Sequence, residues 1–144
     1  TLEVAHSTSG YGFKINDDSG LISWGMTKQD SIALFTQHAE IIAGSVAACE
    51  AVHLRGILGE AGFPQNDPTN IDMDASSAID LAHDPMMVSK TKHIDRRDLF
   101  IRELVERKIV KPTYIPTAKN FADALTKTLA RGPFMTHRTT MLGS

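Results

Sequence analysis

The sequence predicts an α/β protein in which a mixed sheet is covered by helices. Strand-like and helix-like segments alternate along the chain in the order β-β-α-β-α-α-β-α, which is typical of this class. The longest helical pattern carries small residues on one face, as a helix does when it packs closely on a sheet. The 144 residues and 42% hydrophobic content suit one domain with one core, so we expect a single domain over residues 1–144.

The first half of the chain predicts a β-hairpin followed by a long helix. Residues 9–15 alternate around aromatic residues and glycine, and residues 16–20 (NDDSG) have turn chemistry. Residues 21–26 then supply the second strand. Residues 30–60 contain no proline and have helical periodicity, with Ala47 and Ala51 among the small residues on the apolar face.

The second half predicts five further elements, several of them bounded by proline. A proline cannot continue a helix or donate to a strand ladder, so Pro85, Pro116 and the Gly132-Pro133 pair set predicted ends. The predicted elements are a strand at 69–74, a short helix at 76–82, a helix at 94–107, a strand at 109–116 and a last helix at 120–130.

The composition limits the class of protein. The single cysteine, Cys49, excludes an internal disulfide framework and a cysteine-based zinc site, so we expect a reducing intracellular setting, cytoplasm or nucleus. Residues 1–6 lack the basic and apolar blocks of a signal peptide. No apolar run reaches the length needed to cross a bilayer, so no membrane partner is expected.

Positive charge is concentrated in residues 89–111. This segment holds eight basic and four acidic residues and carries +4, whereas the rest of the chain carries −6. Such a segment is either a solvated helix face with salt bridges, such as Asp98 with Arg102, or a contact surface for a polyanion.

Three acidic residues lie where an α/β protein often places a site. Glu40 falls on the line of the apolar helix face, where a carboxylate is partly desolvated. Asp74 ends a predicted strand, and Asp123 lies in the first turn of the last predicted helix. Three acids on three elements can converge on hard divalent cations, but their spacing alone does not show that they do. Without other evidence, an ordinary turn or cap role is the better explanation for Asp74 and a strong one for Asp123.

The chain resembles the ribonuclease H domain of copia-type LTR retrotransposon polyproteins. Six blocks occur in family order across nearly the whole chain, and the last two are the most specific. The blocks are STSGYGF (7–13), ISWGMTKQDSIAL (22–34), AEIIAGSVAACEAVHLRGIL (39–58), IDMDASSAIDLAHDP (71–85), SKTKHIDRRDLFIRELV (89–105) and YIPTAKNFADALTKTL (114–129).

This resemblance implies a ribonuclease H-like fold, with a five-stranded mixed sheet and helices on both faces. It implies hydrolysis of the RNA strand of an RNA–DNA hybrid, with a reverse transcriptase domain upstream. The family uses four carboxylates around two Mg²⁺ (or Mn²⁺) ions, and three of these positions match Glu40, Asp74 and Asp123. The basic segment would then contact the hybrid through Lys90, Lys92, Arg96 and Arg97. His93 would either bind the hybrid there or, as we favour, brace the start of the helix by a hydrogen bond.

The match breaks at the start of the chain. The family's first catalytic Asp precedes the STSGY block, but residues 1–6 contain no Asp, and Glu3 is their only acid. The first, central strand is therefore expected to be shortened or missing, and a partner segment or a homodimer would complete the sheet. Glu3 is an alternative fourth ligand.

Three hypotheses follow from these departures. The first is a ribonuclease H domain that is active in its intact polyprotein and impaired or inactive as this chain, because the first carboxylate is absent. Alternatively, the chain is a truncated or domesticated, non-catalytic module that binds nucleic acid or a protein partner. A fragment that folds poorly alone is the third.

Overall fold

The protein has the predicted α/β class. The computed structural model describes residues 7–29, 36–74, 76, 79 and 96–143. Within these residues the elements are β1 (Thr8–Lys14), β2 (Leu21–Lys28), α1 (Thr36–Glu60), β3 (Thr69–Met73), α2 (Arg96–Glu106), β4 (Val110–Tyr114), a 3-10 turn (Thr117–Lys119), α3 (Asp123–Thr126) and α4 (Arg131–Leu142).

The strands form two pairs of opposite type. β1 and β2 are an antiparallel hairpin, whose turn is closed by the Asn16 side chain: its Oδ1 accepts the N–H groups of Asp18 (3.0 Å) and Ser19 (2.8 Å). β3 and β4 are parallel and are joined through α2. In the part of the chain that the structure describes, the expected mixed sheet is thus present as two two-stranded sheets.

Helix α1 packs against both sheets and fixes their relative direction. A Cβ atom at Gly44 would lie 3.1 Å from Met73 at the end of β3, whereas Arg55 Nη1 donates to Thr69 Oγ1 (2.9 Å) at its start. Helix α1 therefore runs antiparallel to β3. It runs parallel to β1, because Gln29 bridges Ser9 to the start of the helix.

The core lies between α1, α2 and the strands. Its fully buried side chains include Ile42 and Val110, and Gly44 lets α1 approach Ile101 of α2. The predicted apolar face is partly confirmed, since Ala47 and Ala51 are buried. The buried arc also takes in Ile41, Ile42 and Ala48, because α1 is covered by a second helix as well as by strands.

Helices lie on both faces of β1. Tyr11 and Phe13 pack against the core beneath α1. Side chains alternate along a strand, so Gly10 and Gly12 face the other way. A Cβ atom at Gly10 would lie 2.5 Å from Thr126 Cγ2, and one at Gly12 would lie 2.6 Å from Phe121. The segment containing α3 is therefore pressed directly onto this glycine face.

Helix α1 also has the length and apolarity of a membrane span. Within the described residues, Ala39–Glu60 is the one such helix, with a mean hydropathy of 1.5. The sequence pattern had predicted no apolar run long enough to cross a bilayer. Its apolar side chains pack on strands and on α2, so we interpret it as a core helix.

The end of the chain differs from the prediction. Instead of one helix over 120–130, there is a single turn, α3, and then α4, which contains the Gly132-Pro133 pair in its first turn. The prediction that this pair ends a helix was wrong, because the first N–H groups of a helix have no intrahelical acceptor and proline loses nothing there. The predicted helix at 76–82 lies mostly outside the described residues.

Candidate functional site

The three acidic residues singled out by the sequence belong to three different elements at one end of the molecule. Glu40 lies near the start of α1, Asp74 directly follows β3, and Asp123 is the first residue of α3. The start of α1 and the end of β3 meet at this end because the two elements are antiparallel. Helix α3 reaches the same end through its contact with Gly10, near the start of β1.

The backbone beside each of the three acids is held by hydrogen bonds. Gln29 Nε2 donates to the carbonyl oxygen of Ala39 (3.0 Å) and to Ser9 Oγ (2.8 Å), which ties the residue before Glu40 to β1. The Ile115 N–H donates to the carbonyl oxygen of Met73 (2.9 Å) and extends the β3–β4 pairing up to Asp74. The backbone of all three acids is therefore held by neighbouring elements.

The start of α3 is held in the same way. Asn120 accepts the Ala122 N–H through its side chain (3.2 Å) and the Asp123 N–H through its carbonyl oxygen (3.2 Å). These bonds satisfy two of the N–H groups that a helix start leaves free. Asp123 is buried, whereas Glu40 and Asp74 are half-buried.

The three acids share one electrostatic field. Burial raises the pKa of Glu40 above its ordinary value, and the charge of Asp74 raises this pKa further, with a smaller contribution from Asp123. The charge of Lys127 acts in the opposite direction. A carboxyl group whose pKa is raised by two other carboxylates marks a place where negative charge accumulates and where a cation is stabilised.

Lys127 is the residue that sequence analysis missed. Its Nζ lies 3.0 Å from Asp123 Oδ1, both as a hydrogen bond and as an ion pair. This hydrogen bond raises the pKa of Lys127, partial burial opposes the rise, and the charges of Asp123, Asp74 and Glu40 add to it. The four-residue spacing from Asp123 on a helix was the available signal in the sequence.

The donor chemistry fits a hard divalent cation, but the side chains are not gathered as a finished metal site. Carboxylate oxygens are the ligands that Mg²⁺ and Mn²⁺ prefer. Among the described residues, however, no group of three His, Cys, Asp or Glu side chains is close enough to hold a metal ion. The ammonium group of Lys127 provides the positive charge at this cluster instead.

The basic segment is described only in part. Arg96 is the first residue of α2 and is exposed, and Arg97 follows it in the helix, with its side chain outside the description. Lys90, Lys92 and His93 lie outside the described residues, as does Glu3. The Arg107–Glu103 ion pair (3.5 Å) near the end of α2 is highly exposed, as expected of a solvated salt-bridged helix face.

The relatives of this chain are long polyproteins of plant transposons. It is 39% identical over 133 residues, 92% of its length, to the retrovirus-related Pol polyprotein from transposon TNT 1-94 of Nicotiana tabacum. It is 30% identical over 128 residues to the corresponding polyproteins from transposons RE2 and RE1 of Arabidopsis thaliana. This chain is homologous to part of retrovirus-related Pol polyproteins.

The homologous part is a small fraction of these relatives. Each alignment covers 89% or more of this chain but only about a tenth of the polyprotein. No protein-family model and no solved structure matches it. The similarity to these three Pol polyproteins indicates a retrotransposon-related origin.

Proposed function

We propose that the chain is the ribonuclease H part of a copia-type Pol polyprotein and acts on the RNA strand of RNA–DNA hybrids. The observation that carries this proposal is the meeting of Glu40, Asp74 and Asp123, from three separate elements, in one electrostatic field. These are the positions that the family resemblance assigns to catalysis. Residues 1–6 contain no Asp for the first-strand position of the family, so the proposal assigns three of the four carboxylates to this chain.

The three carboxylates would hold Mg²⁺ or Mn²⁺, two ions in a complete site. When bound, such ions activate the attacking water and neutralise charge at the phosphate and the leaving oxygen. The chain's own contribution is to hold the backbone of the three acids at the same end of the molecule. A fourth carboxylate would come from Glu3 or from a strand supplied by a partner, including a second copy of this chain.

Nucleic-acid contact is assigned to the basic segment at the start of α2. Lys90, Lys92, Arg96 and Arg97 contribute positive charge to this segment in a protein whose net charge is −2 with histidine neutral, and His93 lies among them in the sequence. Contacts of this kind go to phosphate groups and position a duplex without reading its sequence.

The test is cleavage of a labelled RNA–DNA hybrid with Mg²⁺ or Mn²⁺, with EDTA as the metal-free control. We expect slow, metal-dependent cleavage that is lost in Asp74→Asn, because the neutral amide removes one ligand charge without changing side-chain size. Asp67→Asn is the matched control, since Asp67 is exposed in the loop before β3, at the other end of the strand. Equal cleavage by Asp74→Asn and the parent would contradict the ligand assignment.

A non-catalytic module is the second candidate function. It is favoured by the Lys127–Asp123 ion pair, which already neutralises one proposed ligand. The parent, Glu40→Gln and Asp74→Asn would then bind the hybrid, or a protein partner, with the same affinity. The folded parent would not cleave the hybrid.

A further inference from the structure

We propose that the outer edge of β2, the edge turned away from β1, is a dimerisation site for a second copy of this chain. The two β2 strands pair in antiparallel direction, with Trp24 of each copy opposite Met26 of the other. The two hairpins then form one continuous four-stranded sheet. This interface uses none of the residues of the candidate site, so it goes beyond the proposed function and is tested independently of it.

The backbone of β2 presents hydrogen-bonding groups at this outer edge. The Gln29 N–H donates to the carbonyl oxygen of Ser7 (2.8 Å), which makes these two residues a hydrogen-bonded pair of the hairpin. Such pairs alternate with non-hydrogen-bonded pairs along an antiparallel ladder. Trp24 and Met26 lie an odd number of positions before Gln29 in an unbroken register, so their N–H and C=O groups point away from β1. Among the described residues, β1 is the one strand paired with β2.

The side chains at the outer edge are apolar and exposed. Trp24 is 61% exposed and Met26 is 63% exposed. From Leu21 to Thr27 the strand contains no charged residue and no proline, and its first charge is Lys28 at its end. Edge strands that avoid pairing usually carry such charges or prolines within the strand. The outer edge of β2 is therefore built to accept another strand.

A second copy of β2 fits this edge in one register. Outward-facing residues must lie opposite each other to exchange hydrogen bonds, so a two-fold axis can pass through Trp24, Gly25 or Met26. An axis at Met26 would place Trp24 opposite Lys28. An axis at Trp24 would place Met26 opposite Ile22, where the pairing with β1 is irregular. An axis at Gly25 places Trp24 opposite Met26 twice, which gives two aromatic–sulfur contacts between exposed side chains.

Charge and space also suit this pairing. It brings Lys28 of each copy to the beginning of the other copy's β2, next to the hairpin turn, where Asp17 and Asp18 are exposed. Helix α1 contacts β1 and β3, away from the outer edge. The two copies of β1 would be three strand spacings apart, about 14 Å. Two helices that are each about 10–12 Å across therefore fit side by side on the extended sheet.

Sedimentation equilibrium and the fluorescence of Trp24, the single tryptophan of the chain, test the dimer together. We expect the parent to associate reversibly as its concentration rises. The emission should shift to shorter wavelengths with the same midpoint, because the pairing buries the indole ring. Trp24→Lys should weaken association about tenfold or more, since it removes a central aromatic contact twice. Phe63→Lys is the matched control, because Phe63 is 67% exposed in the loop after α1, and it should leave association unchanged.

Disulfide trapping tests the register. Trp24→Cys and Met26→Cys would be made in a Cys49→Ser background, which removes the exposed native cysteine, and oxidised separately and as a mixture. Opposite residues lie about 5.5 Å apart between Cα atoms, which is within disulfide reach. Residues with the same number in the two copies would be about 9 Å apart, which is beyond it. We expect a covalent dimer in the mixture, which keeps one native Trp24–Met26 pair, and little in either variant alone.

The contrary results are equally specific. A folded parent that stays monomeric up to about 1 mM overturns the proposed dimer. So does association that Trp24→Lys leaves intact, or association without a shift in emission, since another surface would then be responsible. Covalent dimers of Trp24→Cys alone or Met26→Cys alone, with no preference for the mixture, overturn the proposed register. Hybrid cleavage is not measured in any of these experiments, so failure of the dimer is distinct from failure of the proposed function.

Discussion

Substituting Gly10 by alanine tests whether α3, and with it Asp123, is positioned by direct contact with β1. The added Cβ atom would lie 2.5 Å from Thr126 Cγ2 and 3.3 Å from Leu125 Cβ. Carbon atoms pack best at about 3.5–4.0 Å, so α3 must move away from β1 by about 1 Å. Thr126 cannot simply turn aside, because its branched side chain has few rotamers.

The expected cost follows from this overlap. Overpacking of a close contact costs about 1–3 kcal/mol, and alanine recovers part of this by reducing the entropy of the unfolded chain. We therefore expect Gly10→Ala to lower the free energy of unfolding by about 1–2 kcal/mol. For a chain of 144 residues this corresponds to a fall in melting temperature of roughly 3–8 °C.

Urea denaturation followed by circular dichroism measures this change, with Gly56→Ala as the matched control. A Cβ atom at Gly56 meets nothing within 4 Å, so alanine should stabilise the C-terminal part of α1 by about 0.8–1 kcal/mol. Adding Thr126→Ser to Gly10→Ala removes the clashing methyl group and should recover part of the loss. A Gly10→Ala protein as stable as the parent, or no recovery in the double variant, would refute the proposed contact.

Three further predictions concern single features of the molecule. Because the pKa of Glu40 is raised above 4.5, the folded protein holds this proton more tightly than the unfolded chain does. The stability of the parent should therefore fall as the pH rises from about 4.5 through the raised pKa. In melts at different pH values, Glu40→Gln should be more stable than the parent at about pH 7 and should lose this advantage below about pH 4. Lys108 ends α2 with φ 56°, so Lys108→Gly should stabilise the protein by about 0.5–1 kcal/mol in urea titrations. The double change Arg96→Ala, Arg97→Ala should weaken hybrid binding and reduce the salt slope by about one to two, measured by fluorescence anisotropy.

Each of these predictions has its own control or contrary result. Glu60→Gln, at the exposed end of α1, should be no more stable than the parent at pH 7. If it gained as much stability as Glu40→Gln, the gain could not be attributed to the environment of Glu40. A destabilising Lys108→Gly would contradict the left-handed helix end. Arg131→Ala with Arg138→Ala removes the same charge from α4, and an equal loss of hybrid binding would mean that net charge alone is responsible.

The sequence by itself determined the α/β class, the hairpin and the long helix. These follow from patterns that are local in the chain: alternation with period two, helical periodicity, and turn residues between elements. It failed at the C-terminal end, where Gly132-Pro133 is equally compatible with the end of one helix and the start of the next. Local chemistry does not distinguish these positions, because neither of them requires the backbone N–H that proline lacks.

Only the tertiary structure decided which charges meet. Lys127 and Asp123 are neighbours on one turn, but their joint relation to Glu40 and Asp74 depends on the direction of α1 against β3 and on the close approach of α3 to Gly10. The raised pKa of Glu40 likewise depends on burial and on charges far away in sequence. Electrostatic energy depends on distance in space, so the balance of charge at this site is a property of the fold.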